Sequence, residues 1–313
     1  MEQLEGILKE YYGLDRTRVV PQKGGWAALA YQVQTDGHGY FLKVYEKSRA
    51  STPKWTARID DYVPILLWLG QHSQLKGKIP VPILTKDGLY QCEDDEGIYL
   101  LYEYIMGDTI ADLDLTSVQV RQLAEIITEL HQYGDGIPFK TNAIRENFEV
   151  PFLQQLGHTL DAVMPNDVRE AVQPFREKLN DLMNEVYELS VTLAHSNVHM
   201  ALCHTDVHHW NLMSAGHELV LIDWEGLSVA PVEADMMFFV QTPYWDEFMR
   251  IYKNTHREYE INSDALRFYQ GRRKLEDVWE FIEQLLYDTQ DEGERIAVLS
   301  HLKSELEKIT PSV

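Results

Sequence analysis

Basic residues are scarce in this chain: 28 Lys and Arg stand against 50 Asp and Glu over 313 residues, a formal charge of −22. A field of that sign repels phosphate backbones and anionic bilayers, so neither nucleic acid nor a membrane surface is an expected partner. It attracts cations instead, and a cationic small molecule fits it. Cysteine is scarcer still, with only Cys92 and Cys203. Two thiols build no disulfide framework and suit a reducing, cytoplasmic setting. No run of about 18 apolar residues occurs, so no membrane-spanning helix is expected. The first residues, MEQLEGILKEYYGL, carry acids at amphipathic spacing instead of a basic stretch and an apolar core, unlike a signal peptide. Repeats and low-complexity tracts are missing as well.

What is present changes character along the chain. Leu4, Ile7, Leu8 and Tyr11 recur at helical spacing before Gly13. Alternating residues from Val19 to Val44, punctuated by Gly24-Gly25 and Asp36-Gly37, predict an antiparallel meander with a glycine turn between its first two strands. A helix is expected over 53–70, with Pro64 as a possible kink. Two or three further strands follow, turning at Asp87-Gly88 and Glu96-Gly97. The strand-rich part ends near Ile105, which sets an expected boundary between 1–105 and 106–313. Beyond it, Thr116 and Gln119 form a capping box for a helix that Gly134 stops. Helical spacing returns over 166–195, with Pro174 opening a new segment, and over 264–309. Between these lies a short β-like insert, ALCHTDVHHWNLMSAGHELVLIDWEG. The order predicts an α+β protein of two lobes, mainly β then mainly α, with a small β-ribbon in the second.

The insert carries the chemistry. His204, Asp206 and Asn211 give H-x-D-x-x-x-x-N, and Asp223 follows twelve residues after Asn211. That is the spacing of a catalytic loop and a metal-binding Asp in kinase-type phosphotransferases. A hydroxyl nucleophile needs an acceptor to orient it and take its proton, which suits Asp206. Mg²⁺ prefers oxygen ligands, which Asn211 and Asp223 supply. The apolar run before Asp223 reads as a buried strand, and SAGHE as a hairpin turn that folds Asn211 back toward it. His204 reads as a core histidine that organises the loop. The missing half of such a site is a lysine on a strand. Lys43 in YFLKV fits, and Asp60 and Asp61 on the next helix could pair with it.

Together these segments resemble the aminoglycoside phosphotransferase and choline kinase superfamily, spectinomycin-type phosphotransferases above all. The resemblance covers nearly the whole chain: GGWAALAYQV, YFLKV, LLYEYI, LAEIITELH, LCHTDVHHWNLM, LIDWEGLSVAPVEADMMFF and RFYQGRRKLEDVWEF. It implies a bilobal, protein-kinase-like fold and transfer of a γ-phosphoryl group from ATP or GTP, with Mg²⁺, to a hydroxyl of a small and cationic acceptor. An aminocyclitol or aminoglycoside antibiotic is favoured, with choline or an amino sugar as alternatives. It further implies that Gly24, Gly25 and Lys43 meet the nucleotide phosphates, with Asp61 beside Lys43. The backbone of Glu103, Tyr104 and Ile105 would meet the nucleobase, and Asp235 would brace the catalytic loop. The family's partner acid is usually Glu, where this chain has the shorter Asp60 and Asp61. Glu225 and Asp277 are the candidate acceptor contacts.

Two other readings stand beside this one. His195, His199, His204, His208 and His209 crowd near Asp206 and Asp223, and a His/Asp cluster could hold the metal of a hydrolase. A kinase-like fold could also bind nucleotide without turning it over. His131, Cys203 and the run Arg272-Arg273-Lys274 read as structural residues.

Overall fold

The structure is a computed structural model and describes residues 2–22 and 27–309. Helix α1 (Glu2–Tyr12) buries Leu4, Ile7 and Leu8 on one face, as their spacing predicts. Gly13 ends it at φ +71°, a conformation that costs a residue with Cβ. Strands β1 (Arg18–Gln22), β2 (Leu29–Gln34) and β3 (Gly39–Glu46) form the expected meander, pairing Val19 with Val33 and Tyr31 with Leu42. The expected glycine turn, with Gly24 and Gly25, lies outside the described residues. The helix expected over 53–70 is two: α2 (Thr52–Thr56) and α3 (Ile59–His72). Pro64 lies inside α3 and does not end it. Strands β4 (Pro82–Ile83), β5 (Cys92–Glu93) and β6 (Gly97–Glu103) complete a six-stranded sheet. Its order is β1-β2-β3-β6-β4, with β5 also on β6. One of its faces packs on α1 through Leu8, Val33, Leu42 and Leu101.

Strand β7 (Asp108–Thr109) leads into α4 (Ser117–Leu130), whose capping box joins Thr116 and Gln119 as their spacing predicts. Three helices precede the insert without a strand between them: α5 (Phe152–Asp161), α6 (Asn166–Val172) and, after a 3₁₀ turn holding Pro174, α7 (Arg176–Ala194). The insert itself supplies β8 (Met200–Cys203), β9 (Leu212–Ala215), β10 (Glu218–Leu221) and β11 (Ser228–Pro231). Strands β9 and β10 are the expected hairpin, with β7 added to β9, and β8 pairs with β11. The chain ends in α8 (Glu233–Met236), α9 (Trp245–Thr255), α10 (Ser263–Tyr287) and α11 (Glu292–Glu307).

These elements form two compact units. One holds 1–48, 52–145 and 200–259; the other holds 49–51, 146–199 and 260–313. The change near residue 105 is thus one of element type, from strand-rich to helix-rich, and the compact units divide along a different line. All three sheets belong to the first unit. Its core runs from Tyr45 and Leu66 through Leu123 and Ile127 to Leu212, Leu221 and Phe239. Burying such side chains stabilises by about 1.5–3 kcal/mol each. That core fixes β3, β9 and β10, the three strands that carry the candidate site. No helix among the described residues is long and apolar enough to cross a membrane.

Candidate active site

Asp206 follows β8 on a loop that is held from below by one buried carboxylate. Asp235, with no exposed surface, accepts the backbone N–H of His204 at 3.0 Å and of Thr205 at 2.6 Å. His131 Nε2 lies 3.0 Å from the same carboxylate, and His131 Nδ1 lies 2.9 Å from the Tyr252 hydroxyl. Thr205 sits at φ +70°, a left-handed backbone that costs about 1–2 kcal/mol in a residue with Cβ. Its N–H bond to Asp235 and its hydroxyl bond to the Gly226 carbonyl, 3.0 Å, hold it there.

His204 fixes the turn from inside. Its Nε2–H donates to the Ile222 carbonyl at 2.9 Å, so its Nδ1 is the acceptor for the Asp206 N–H at 3.2 Å. Both bonds suit a neutral ring. Burial pushes its pKa below the ordinary value, outweighing the pull of Asp235 and Asp206.

The Asp206 carboxylate is held on both oxygens. Asn211 Nδ2 donates to Oδ2 at 2.9 Å and to the Asp206 carbonyl at 2.9 Å, while His208 Nε2 lies 3.3 Å from Oδ1. Its side chain keeps 29% of its surface open, as an acceptor of a proton from an incoming hydroxyl needs. Because both bonds use the Asn211 amide nitrogen, its amide oxygen remains for a cation. The Ile222 N–H donates to the Asn211 carbonyl at 2.9 Å, which sets Asp223 next to Asn211. Asp223 adopts φ +63°, and its side chain is 42% exposed. An amide oxygen and an accessible carboxylate are hard oxygen donors of the kind Mg²⁺ takes. The donor set therefore fits Mg²⁺, which Asn211 and Asp223 would hold.

Lys43 reaches the same place from β3. Its Nζ lies 2.9 Å from Asp223 Oδ1 and 2.5 Å from Glu225 Oε1, with only 12% of the side chain exposed. Burial alone would lower its pKa, but the Asp223 and Glu225 carboxylates outweigh it and hold the pKa well above the ordinary lysine value. The Tyr45 hydroxyl donates to the same Glu225 oxygen. Burial and the Glu225 charge raise the pKa of that hydroxyl and keep it a donor.

Two expectations change here. Asp60 and Asp61 open α3, but among the described residues the acids paired with Lys43 are Asp223 and Glu225. Glu225, expected at the acceptor, has a side chain only 7% exposed and is engaged by Lys43 and Tyr45. Glu225 stands two residues after Asp223, on a 3₁₀ turn that follows a left-handed residue. Asp277, the other expected acceptor contact, belongs to the second unit. There it is the i,i+4 partner of Arg273 at 2.9 Å on α10, while Arg272 pairs with Glu146 and Glu276. Arg272 and Arg273 are thus each paired with acids of the same unit.

Glu103, Tyr104 and Ile105 form the end of β6 and the segment after it. The Tyr104 N–H bond to the Gly39 carbonyl, 3.0 Å, makes that pair hydrogen-bonded. By the alternation of an antiparallel ladder, the adjoining Tyr40–Glu103 pair turns its backbone groups away from β3.

The histidines disperse. His195 bonds its own helix at Val191, His204 the Ile222 carbonyl, His208 the Asp206 carboxylate and His209 the Tyr244 hydroxyl. The potential metal-ligand group among the described residues is another one, His131, Cys203 and Asp235, all buried. Its Asp235 is occupied by three hydrogen bonds, and burial raises the Cys203 thiol pKa well above its ordinary value. That keeps Cys203 a neutral thiol, unlike a metal-bound thiolate or a nucleophile.

Solved structures share this arrangement of elements. A spectinomycin phosphotransferase in complex with ADP and spectinomycin superposes with a TM-score of 0.75 at 19% identity, over 98% of this chain and 97% of that one. A microcompartment-associated aminopropanol kinase gives 0.67 at 14% identity, over 98% and 96%. A choline kinase from Streptococcus pneumoniae gives 0.63 at 15% identity, over 98% of each chain. At these identities the likeness establishes the fold, the bilobal protein-kinase-like architecture. No curated protein sequence matches the chain. The model of the phosphotransferase enzyme family matches residues 18–284, spanning Lys43, Asp206, Asn211 and Asp223, and by that match the chain belongs to this family.

Proposed function

We propose that this protein transfers the γ-phosphoryl group of a nucleoside triphosphate to a hydroxyl of a small, cationic molecule. The observation that carries the reading is the Asp206 carboxylate, fixed on both oxygens by Asn211 and His208 yet still partly open. Asp206 accepts the hydroxyl's hydrogen bond, orients its oxygen and takes its proton as the new P–O bond forms. Lys43 meets the nucleotide phosphates, and the outward backbone of Glu103 together with Tyr104 and Ile105 meets the base. Asn211 and Asp223 would hold Mg²⁺, which when bound would neutralise phosphate charge. Catalysis rests on positioning and on fixed charge, which suits a loop braced by Asp235 and His204.

Support for a cationic acceptor comes from the net charge of −22. It also comes from the structural neighbours, whose aminopropanol and choline each combine a cationic nitrogen with a hydroxyl. Spectinomycin-type aminocyclitols and aminoglycosides fit the same description, and an antibiotic-resistance role would follow from them. Two free, buried thiols, Cys92 and Cys203, agree with a reducing cytoplasm.

The test is release of nucleoside diphosphate from Mg²⁺-ATP and Mg²⁺-GTP across aminocyclitols, aminoglycosides, choline, amino alcohols and neutral sugars, with Asp206→Asn as control. Release that depends on an amine-bearing acceptor and vanishes in the variant is the expected result. Nucleotide binding without turnover on any acceptor would favour a non-catalytic binder instead.

A further inference from the structure

We infer that Glu225, and not an acid on the helix after β3, is the positioning residue that holds Lys43 for the nucleotide phosphates. The inference rests on the phosphotransferase reading above and names a residue within that site. Lys43 has two carboxylate partners, and they differ in a way that separates their roles. Asp223 keeps 42% of its side chain exposed, whereas Glu225 keeps 7%. Asp223 is also the carboxylate whose oxygens suit the metal, so its hold on Lys43 competes with that duty. Glu225 is the less accessible of the two. Its Oε1 is fixed from two sides, by the Lys43 ammonium at 2.5 Å and by the Tyr45 hydroxyl.

Both lysine and tyrosine come from β3, two residues apart and so on one face of the strand. Tyr45 is fully buried. The strand therefore presents one cation and one neutral donor to a single carboxylate, which fixes the distance of that carboxylate from the strand. Glu225 is fixed from its own side as well. Trp224 beside it is buried and donates its indole N–H to the Leu221 carbonyl at 2.7 Å. Gly226 after it leaves no room for a Cβ, which would overlap Thr205 Oγ1. A buried ammonium needs a partner at every stage of the reaction. Were Asp223 engaged by a metal, Glu225 would remain as the carboxylate that holds Lys43. Asp60 and Asp61 make no ion pair with Lys43 among the described residues.

The experiment compares Glu225→Gln, Glu225→Asp, Asp61→Asn and Lys43→Met in the full chain. Two readouts are used: ADP affinity without metal, by calorimetry, and the steady-state kcat and nucleotide KM with the best acceptor. Glu225→Gln is expected to weaken ADP binding and raise nucleotide KM by about tenfold or more, with acceptor KM little changed. Glu225→Asp recovers part of that loss, and Asp61→Asn falls well short of it. Glu225→Gln added to Lys43→Met costs little more, because the two residues act as a pair. A residue that merely supported the fold would shift both substrates and would add to Lys43→Met. If Glu225→Gln does not fold, Tyr45→Phe carries the test. It removes one donor to Glu225 and is expected to move nucleotide KM in the same direction, by less. Wild-type ADP affinity in Glu225→Gln, or in Tyr45→Phe where that variant replaces it, overturns the inference and leaves the phosphotransferase reading intact. So does an equal loss in Asp61→Asn. Failure of the wild-type protein to bind ADP or turn over Mg²⁺-ATP and Mg²⁺-GTP overturns the phosphotransferase reading and the inference with it.

Discussion

Nε2 of His131 lies 3.0 Å from Oδ2 of Asp235, and neither side chain has any exposed surface. The pair joins the end of α4 to the residue that receives two backbone N–H groups of the catalytic loop. Removing the carboxylate strands those donors in a dry interior. Asp235→Ala is therefore expected to cost about 3 kcal/mol or more in stability. Urea unfolding measures this. The same variant should lose turnover at temperatures where it remains folded, because Thr205 then has one fewer bond holding its left-handed backbone.

Asp206→Asn keeps the shape of the loop and removes the proposed proton acceptor. Turnover is expected to fall by about 10²–10⁴ with nucleotide KM little changed. A fall in nucleotide affinity of similar size would assign Asp206 to binding instead.

Asp223→Asn removes one carboxylate from the oxygen donors. The Mg²⁺ concentration for half-maximal turnover is expected to rise by at least about tenfold. Chelation of divalent cations should abolish turnover in both forms, and Mg²⁺ should restore it. Turnover that persists through chelation would remove the metal from the reading.

Gly226→Ala puts a Cβ into Thr205 Oγ1 and at 2.9 Å from the His204 carbonyl, on backbone that has no room to yield. The expected cost is about 1–3 kcal/mol of stability. Turnover should fall further than that of a surface Gly216→Ala control, because the displaced atoms hold Asp206.

His204 makes the fold sensitive to mild acid. Its folded pKa lies below the ordinary histidine value of 6.5, chiefly through burial. Above that value both the folded and unfolded states hold it neutral, and it adds no pH dependence. As pH falls through the unfolded value, only the unfolded chain takes up the proton. Stability then falls by at most about 1.4 kcal/mol per pH unit from this group, until the folded ring protonates too. Urea midpoints measured from about pH 8 down to about pH 5.5 should show this slope. His204→Gln, though less stable throughout, should lack its share of it.

The geometry of the insert was legible because its contacts are local. Asp206 and Asn211 are five residues apart, and a four-residue hairpin register returns the chain to Asp223. Capping at Thr116, the break at Pro174 and the strand carrying Lys43 are local in the same sense. The partner of Lys43 was not legible. Both α3, with Asp60 and Asp61, and the turn after Asp223 offered acids, and nothing local separates them. In the structure Tyr45, far from Glu225 in sequence, donates to the same Glu225 oxygen as Lys43. Helices α5 and α9 also went unread. Their apolar faces, such as Leu153, Leu156 and Leu160, are short and bury on neighbours far along the chain. The division into two compact units was hidden for a similar reason, since each unit is assembled from three separated stretches.

That assembly has a consequence for how the protein is made. Lys43 leaves the ribosome 180 residues before Asp223 and 182 before Glu225. At about 5–20 residues per second, the sheet waits about 10–40 s for the carboxylates that neutralise its lysine. Through that interval the stretch 146–199 of the other unit is being synthesised. A ribosome-bound chain that stops short of residue 223 holds an inward-facing strand position with an uncompensated cation. Such a nascent chain can complete β3 only by leaving Lys43 in water until the segment carrying Asp223 and Glu225 has been made.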